Sequence, residues 1–303
     1  MDARDFIQKA YDSNAFTTAT TTAGYVNPEI WEKELLVHVK ANLVMANLAK
    51  NYDMRGGDMG DTLNITVGVE PTAASAVDES ASVSVQAYEK TQVIFSPSEK
   101  GTAYQMTNKE RDRTFIPLMQ DMITQLGYAL AKKVDSDLVT LCQNSAVEQV
   151  VANGVASSAI ASSDTLDFSD IVAAKKKLMN NNLFPKYLIV NPSQYAQLLD
   201  EAQFKEVYKF GDQVAKTGMI GTIAGLEVFV TTQIGEGSNK SKAIVLAHDA
   251  MGVSPIGIAI KRDPYIETEY HALDRYTDIV AVMDYDVQRL RAKGICTIET
   301  YVA

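Results

Sequence analysis

Apolar and polar residues alternate most clearly between positions 62 and 96. Leu63, Ile65, Val67 and Val69 fall on one side of an extended chain, and Thr62, Asn64 and Thr66 on the other. This period of two marks a strand with one apolar face. Pro71 stops it, residues 72–82 are small and polar, and alternation resumes at Val83, Val85 and Ala87. Residues 91–95 read as a further strand, so the region predicts a long two-stranded excursion with a polar tip. A lone hairpin is marginal in water. Its apolar face needs a cover, either from its own domain or from a neighbouring subunit.

A helical period governs two other regions. Ile30, Leu35, Val39, Leu43 and Leu48 predict a helix from Pro28 or Glu29 to about Lys50, with Pro28 suited to its start. The stretch RGGDMGD, residues 55–61, then makes a turn. The strongest helix follows Pro117, with Leu118, Met122, Leu126, Leu130, Val134, Leu138, Leu141 and Cys142 in one stripe. The stripe spans about 28 residues, roughly 42 Å at 1.5 Å per residue. That exceeds an ordinary globular helix, so it is expected to act as a spine for other elements. Thr107 and Glu110 have capping-box spacing just before it.

The remaining pattern divides the chain further. Residues 1–28, rich in Thr and Ala, have little to bury and read as an arm. The Ser-, Ala- and Gly-rich stretch 151–166 reads as a connector. An α/β unit follows: a helix capped by Asp167 or Ser169 and running to about 182, a strand over 187–190, and a helix from Asn191-Pro192 to about 200. Lys175, Lys176 and Lys177 are expected on the solvated face of the first helix. Residues 206–222 read as an exposed loop, and 226–231 and 243–246 as strands. Strands over 256–261, 265–270, 277–287 and 295–302 end the chain, with Lys293-Gly294 as a turn. The fold class is α+β.

Composition narrows the function classes. The chain has 303 residues, enough for about two domains and a core that needs no staple. Twenty-eight Lys and Arg against 38 Asp and Glu leave a net charge of −10. Affinity for nucleic acid comes largely from Lys and Arg on phosphates, so a tight or sequence-reading binder is excluded. No apolar run approaches a membrane span. No export signal is expected at the start, and two cysteines, Cys142 and Cys296, fit a reducing compartment. A phosphate loop, a nucleophile elbow and a zinc-binding His pair are all missing. His38, His248 and His271 are not at ligand spacing. His248-Asp249 reads as a turn start rather than an oriented base, and Asp284 with Asp286 as a polar strand face. No catalytic residue, cofactor or metal is expected. A long chain with so little chemistry, an arm, a projecting hairpin and a spine suggests an assembly subunit.

The order of these elements resembles the tailed-bacteriophage major capsid proteins of the Hong Kong 97-like fold. The segment KTQVIFSPSEKGTAYQMTNKERDRTF, residues 90–115, is similar to that family's peripheral-domain strand entering a spine helix. PKYLIVNPSQYAQLLD, 185–200, is similar to its axial-domain strand and helix, and AIVLAHDAMGVSPIGIAIKRDP, 243–264, to the exit from that domain. The resemblance implies an N-terminal arm over 1–60, an E-loop hairpin over 61–97, and a peripheral-domain strand and spine over 98–155. It further implies an axial domain over 156–254 and peripheral return strands over 255–303.

The function implied is a major capsid protein whose hexamers and pentamers close an icosahedral shell around double-stranded DNA in the virion. Contacts between copies are expected at Leu63, Ile65, Val67, Val69, Val83 and Val85 of the hairpin, and at Lys209 and Gly218 of the axial loop. Implied partners are a separate scaffolding protein, a portal and decoration proteins, with assembly in the host cytoplasm, no membrane and no sequence-specific grip on the DNA. Maturation of a precursor shell is implied as well. An encapsulin-like bacterial compartment is the alternative within the same fold. A small-molecule α/β enzyme and a tubular lattice protein are alternatives from other classes.

Overall fold

The computed structural model describes residues 44–54, 60–68, 87, 90–113, 118–145, 147–200 and 221–302, all within one compact unit, 38–303. The predicted helix over 28–50 and the predicted loop over 206–222 therefore lie largely outside the described residues, as does the arm over 1–28. What is described opens with α1 (Met45–Leu48) and β1 (Lys50–Asp53). The hairpin strands β2 (Leu63–Gly68) and β3 (Lys90–Phe95) come next, then β4 (Ser98–Thr107), α2 (Asn108–Arg113) and the spine α3 (Leu118–Cys142). The middle of the chain holds β5 (Glu148–Val151), α4 (Phe168–Asn180), β6 (Phe184–Val190) and α5 (Pro192–Asp200). The rest is strand: β7 (Thr222–Ile223), β8 (Leu226–Val230), β9 (Lys240–His248), β10 (Ile256–His271), β11 (Tyr276–Arg289) and β12 (Ile295–Tyr301).

The described strands form three sheets. One has the order β1-β10-β11-β4, a second β5-β12-β9-β6-β8-β7, and β2-β3 stand as a ribbon of their own. The spine packs between the two larger sheets. Its predicted stripe is buried at Leu126, Leu130, Val134, Leu138 and Cys142, against Ile279, Ala281, Met283 and Tyr285 of β11 and against Ile189, Ile244 and Leu246 of the six-stranded sheet. Successive residues of β6 and β9 point to opposite faces. Leu188, Val190, Ala243 and Val245 meet α4 and α5 in a second core with Ile171, Ala174, Leu178 and Leu198. Burial on both faces explains why these strands read as unbroken apolar runs rather than alternations.

Local signals place the helices of this second core. Asp167 caps α4 in a capping box whose N3 member is Asp170. The N–H of Ser193 donates to Asn191 Oδ1 at 2.9 Å, with Pro192 at the first position of α5. The lysine triplet on α4 is only partly a solvated face: Lys175 donates to the Ala224 carbonyl at 2.6 Å and Lys177 to that of Gln149 at 2.6 Å.

Four elements differ from the sequence expectation. The chain is helical only to Leu48. Residues from Lys50 extend and pair in parallel with β10, because Tyr52 finds a partner in Phe95, ring centroids 5.6 Å apart. The short strand β5 lies just ahead of the predicted 151–166 connector, where the sequence predicts no element, and it pairs in parallel with β12. The strands over 256–261 and 265–270 are one strand, irregular around Arg262. Pro264, which has no N–H for the ladder, sits in that irregularity, beyond the last β1 partner, Ile260. Finally, β12 does not join β10 and β11 but lies between β9 and β5 in the six-stranded sheet.

Candidate functional site

The surfaces that matter for an assembly subunit begin at the hairpin. β2 and β3 pair antiparallel from Leu63↔Phe95 to Gly68↔Lys90. Their burial alternates as the sequence predicts, with Leu63, Ile65 and Val67 half-buried and Asn64, Thr66 and Gly68 exposed. At the base, the cover is the subunit's own: Leu63, Ile65 and Val93 pack against Met54, Phe95, Ala259 and Leu290. Val67 borders an open cleft of about 220 Å³ shared with Ile65, Gly68, Val253 and Arg291. On the other face Ile94 is 49% exposed. Val69, Val83 and Val85, expected to be covered by a neighbour, lie outside the described residues. So do Lys209 and Gly218.

The ribbon leaves the body abruptly. Phe95 is completely buried, while Lys90, Thr91, Gln92 and Ile94 of the same strand are exposed. Its ring lies over Gly257, where an added Cβ would come 3.0 Å from Phe95 Cζ and 3.1 Å from Tyr52 Cε2. One residue on, the N–H of Ser96 donates to Asp286 Oδ2 at 2.8 Å. Asp286 is itself held by the Val287 N–H on Oδ1 and by Gln288 Nε2 on Oδ2. On the β2 side Lys261 reaches Asp61 at 2.7 Å. Sequence reasoning placed Asp286 on a polar face. It missed the contact because residues 190 positions apart leave no periodic mark.

The spine carries two carboxylates with opposite surroundings. Asp135 is fully buried. Its Oδ1 accepts the Ala46 N–H at 3.1 Å, at the start of α1. Burial pushes its pKa up, against the opposing backbone N–H groups of residues 44–46. Asp137 lies in a network: Lys100 and Lys133 contact it at 2.8 and 2.7 Å, and the Tyr285 hydroxyl donates to it at 3.0 Å. Burial pushes this carboxyl up too, but the three donors hold it below the usual range.

The chemistry-bearing side chains are otherwise structural. Asp249 accepts the N–H groups of Met251 and Val253 at 2.9 and 2.8 Å and pairs with Arg291 at 3.3 Å, which makes a turn. Burial lowers the pKa of neighbouring His248, as does the charge of Lys186. Burial pushes the thiols of Cys142 and Cys296 up to about 12, far from the thiolate a nucleophile needs.

A family model described as a phage capsid protein matches residues 89–298. Among solved structures, a chain from Mycobacterium phage Che8 superposes with a TM-score of 0.73 at 18% identity, covering 91% of this chain and 98% of that one. The capsid of cyanophage P-SCSP1u gives 0.71 at 13% identity, over 94% and 97%. The capsid asymmetric unit of cyanophage Pam1 gives 0.68 at 12%, over 95% and 100%. At such identities the likeness is one of fold. Curated protein sequences yield no match.

Proposed function

The chain belongs to the phage capsid protein family, and from that premise we propose how it builds a shell. It is a major capsid protein with the Hong Kong 97-like fold, and its place is the virion. Its copies join as hexamers and pentamers that tile an icosahedral shell around double-stranded DNA. The role is structural rather than catalytic. The observation that carries this reading is the extent of the family match, from the second hairpin strand through the spine and every later strand of the two large sheets.

The division of labour follows from the residues. The two sheets and the spine form a body that buries its own apolar surface. The base of the hairpin, at Leu63, Ile65 and Val93, is buried there, and its further apolar positions, Val69, Val83 and Val85, contact a neighbouring copy. Lys209 and Gly218 meet their counterparts around the capsomer axis. Each contact can be weak, since closure of a symmetric shell makes many act together. The net charge of −10 suits a wall that encloses DNA without gripping it. A separate scaffolding protein guides assembly in the host cytoplasm, and a portal occupies one vertex.

Expression of the chain with and without a co-encoded scaffolding candidate, followed by electron microscopy, tests this reading. Closed shells or capsomers are expected. A monomer at high concentration under every condition overturns it.

A further inference from the structure

We infer that Asp286 is a positioning residue that sets the direction in which the hairpin leaves the subunit, with the Lys261–Asp61 pair as a weaker strut on the opposite strand. The inference builds on the shell reading above, but its test does not need a shell to form. The β2–β3 ribbon is hydrogen-bonded to no other sheet among the described residues. Its direction is therefore set by the packing of Leu63, Ile65 and Val93 on the body and by the contacts at its root. There Phe95 supplies an apolar pivot between Tyr52 and Gly257, but a ring in an apolar socket does not by itself fix an angle. The polar contacts do, because hydrogen bonds are directional.

Those contacts are unequal. Asp286 Oδ2 takes a backbone N–H at 2.8 Å, and both its oxygens are already oriented by Val287 and Gln288. Its acceptor therefore waits in place for Ser96. Pro97 follows, where the chain turns from the ribbon into β4, which starts its own ladder at Ser98↔Tyr285. Lys261 instead reaches an aspartate whose side chain is 96% exposed, so solvent screens that pair. The leverage is large. Six residues of ribbon span about 20 Å. A swing of about 10° at the root moves the far end by about 3.5 Å, close to a whole van der Waals contact distance. Docking onto a neighbouring copy would not survive such a shift.

The test uses nitroxide labels on the full chain at Gln92→Cys on the ribbon and Ala131→Cys on the exposed face of the spine. Cys142 and Cys296 are fully buried and do not compete for label. Pulsed electron resonance reads the distance distribution in the unassembled subunit. One narrow peak is expected for the parent, a peak at least twice as broad for Asp286→Ala, and recovery of the narrow peak for Asp286→Asn, which keeps an acceptor for Ser96. Lys261→Ala is expected to broaden it less. An Asp286→Ala distribution equal to the parent's overturns the inference, as does Asp286→Asn failing to recover it. If Asp286→Ala does not fold, Asp286→Ser, whose hydroxyl is too short to reach Ser96, is read by the same criteria. A parent that shows one narrow peak yet never assembles counts against the shell reading and leaves this one standing.

Discussion

Asp135 and Asp137 sit two residues apart on one helix, and their surroundings pull their titration in opposite directions. Burial dominates at Asp135, so the folded protein holds its proton more tightly than the unfolded chain, whose aspartates titrate near 3.9. Its charge is therefore a cost at neutral pH, and the cost fades as pH falls through the raised value. Asp135→Asn keeps an acceptor for the Ala46 N–H and removes that cost. The variant is expected to match or exceed the parent in stability at pH 7, with the gap closing by about pH 4. Asp137 behaves in the opposite sense. Despite its partial burial, Lys100, Lys133 and Tyr285 hold its pKa down, so its contribution is present above about pH 4 and is lost as pH falls through the lowered value. Asp137→Asn is expected to lose roughly 1–2 kcal/mol at pH 7, less than a deeply buried pair, because Lys133 stands largely in solvent. Urea titrations of Asp135→Asn at pH 7 and pH 4, and of Asp137→Asn at pH 7 and at a pH well below 4, check the two signs. Nothing in the sequence separates these aspartates; only the elements packed against each one do.

Elements differ in how plainly the chain announces them. The spine was legible because its stripe repeats along a 25-residue helix, and from Met122 onward its members join the core between the sheets. The hairpin strands were legible by alternation. By contrast, β1 and β5 have four residues each, too few to show a period, and tertiary pairing created them. Glycines show the same split. Gly127 lies in the exposed middle of the spine with nothing within 4 Å of an added Cβ. Gly127→Ala is expected to stabilise the subunit by about 1 kcal/mol, the difference in helix propensity. Gly257 supports the rings of Phe95 and Tyr52 on β10, and an added Cβ would press on both. Gly257→Ala is expected to cost about 1–3 kcal/mol through overpacking. Opposite shifts in denaturation midpoint for the same chemical change are the result to look for. A loss at Gly127 would mean that the spine's outer face is not free in the subunit.

At the scale of the whole molecule, the question is where self-covered surface ends. Both faces of the six-stranded sheet and the inner face of the spine are closed within the subunit, and so is the base of the hairpin at Leu63 and Ile65. Alternation in the sequence continues past that base to Val69, Val83 and Val85, so the apolar stripe is longer than the surface the subunit supplies at its root. This predicts a change of behaviour along one stripe. Leu63→Asp puts a carboxylate against Met54, Phe95 and Leu290 and is expected to destabilise the subunit by several kcal/mol. The Val83→Asp/Val85→Asp double variant is expected to leave the unfolding midpoint of the subunit within about 0.5 kcal/mol of the parent, as surface substitutions do, and to abolish closed shells. Denaturation curves of unassembled subunits and electron micrographs of assembly reactions separate the two effects. If the double variant unfolds as readily as Leu63→Asp, the whole stripe belongs to the subunit's own core, and the neighbour-covered hairpin fails. If it neither unfolds nor blocks shells, the hairpin's far half bears no contact, and the cover between copies must come from the arm or the axial loop instead.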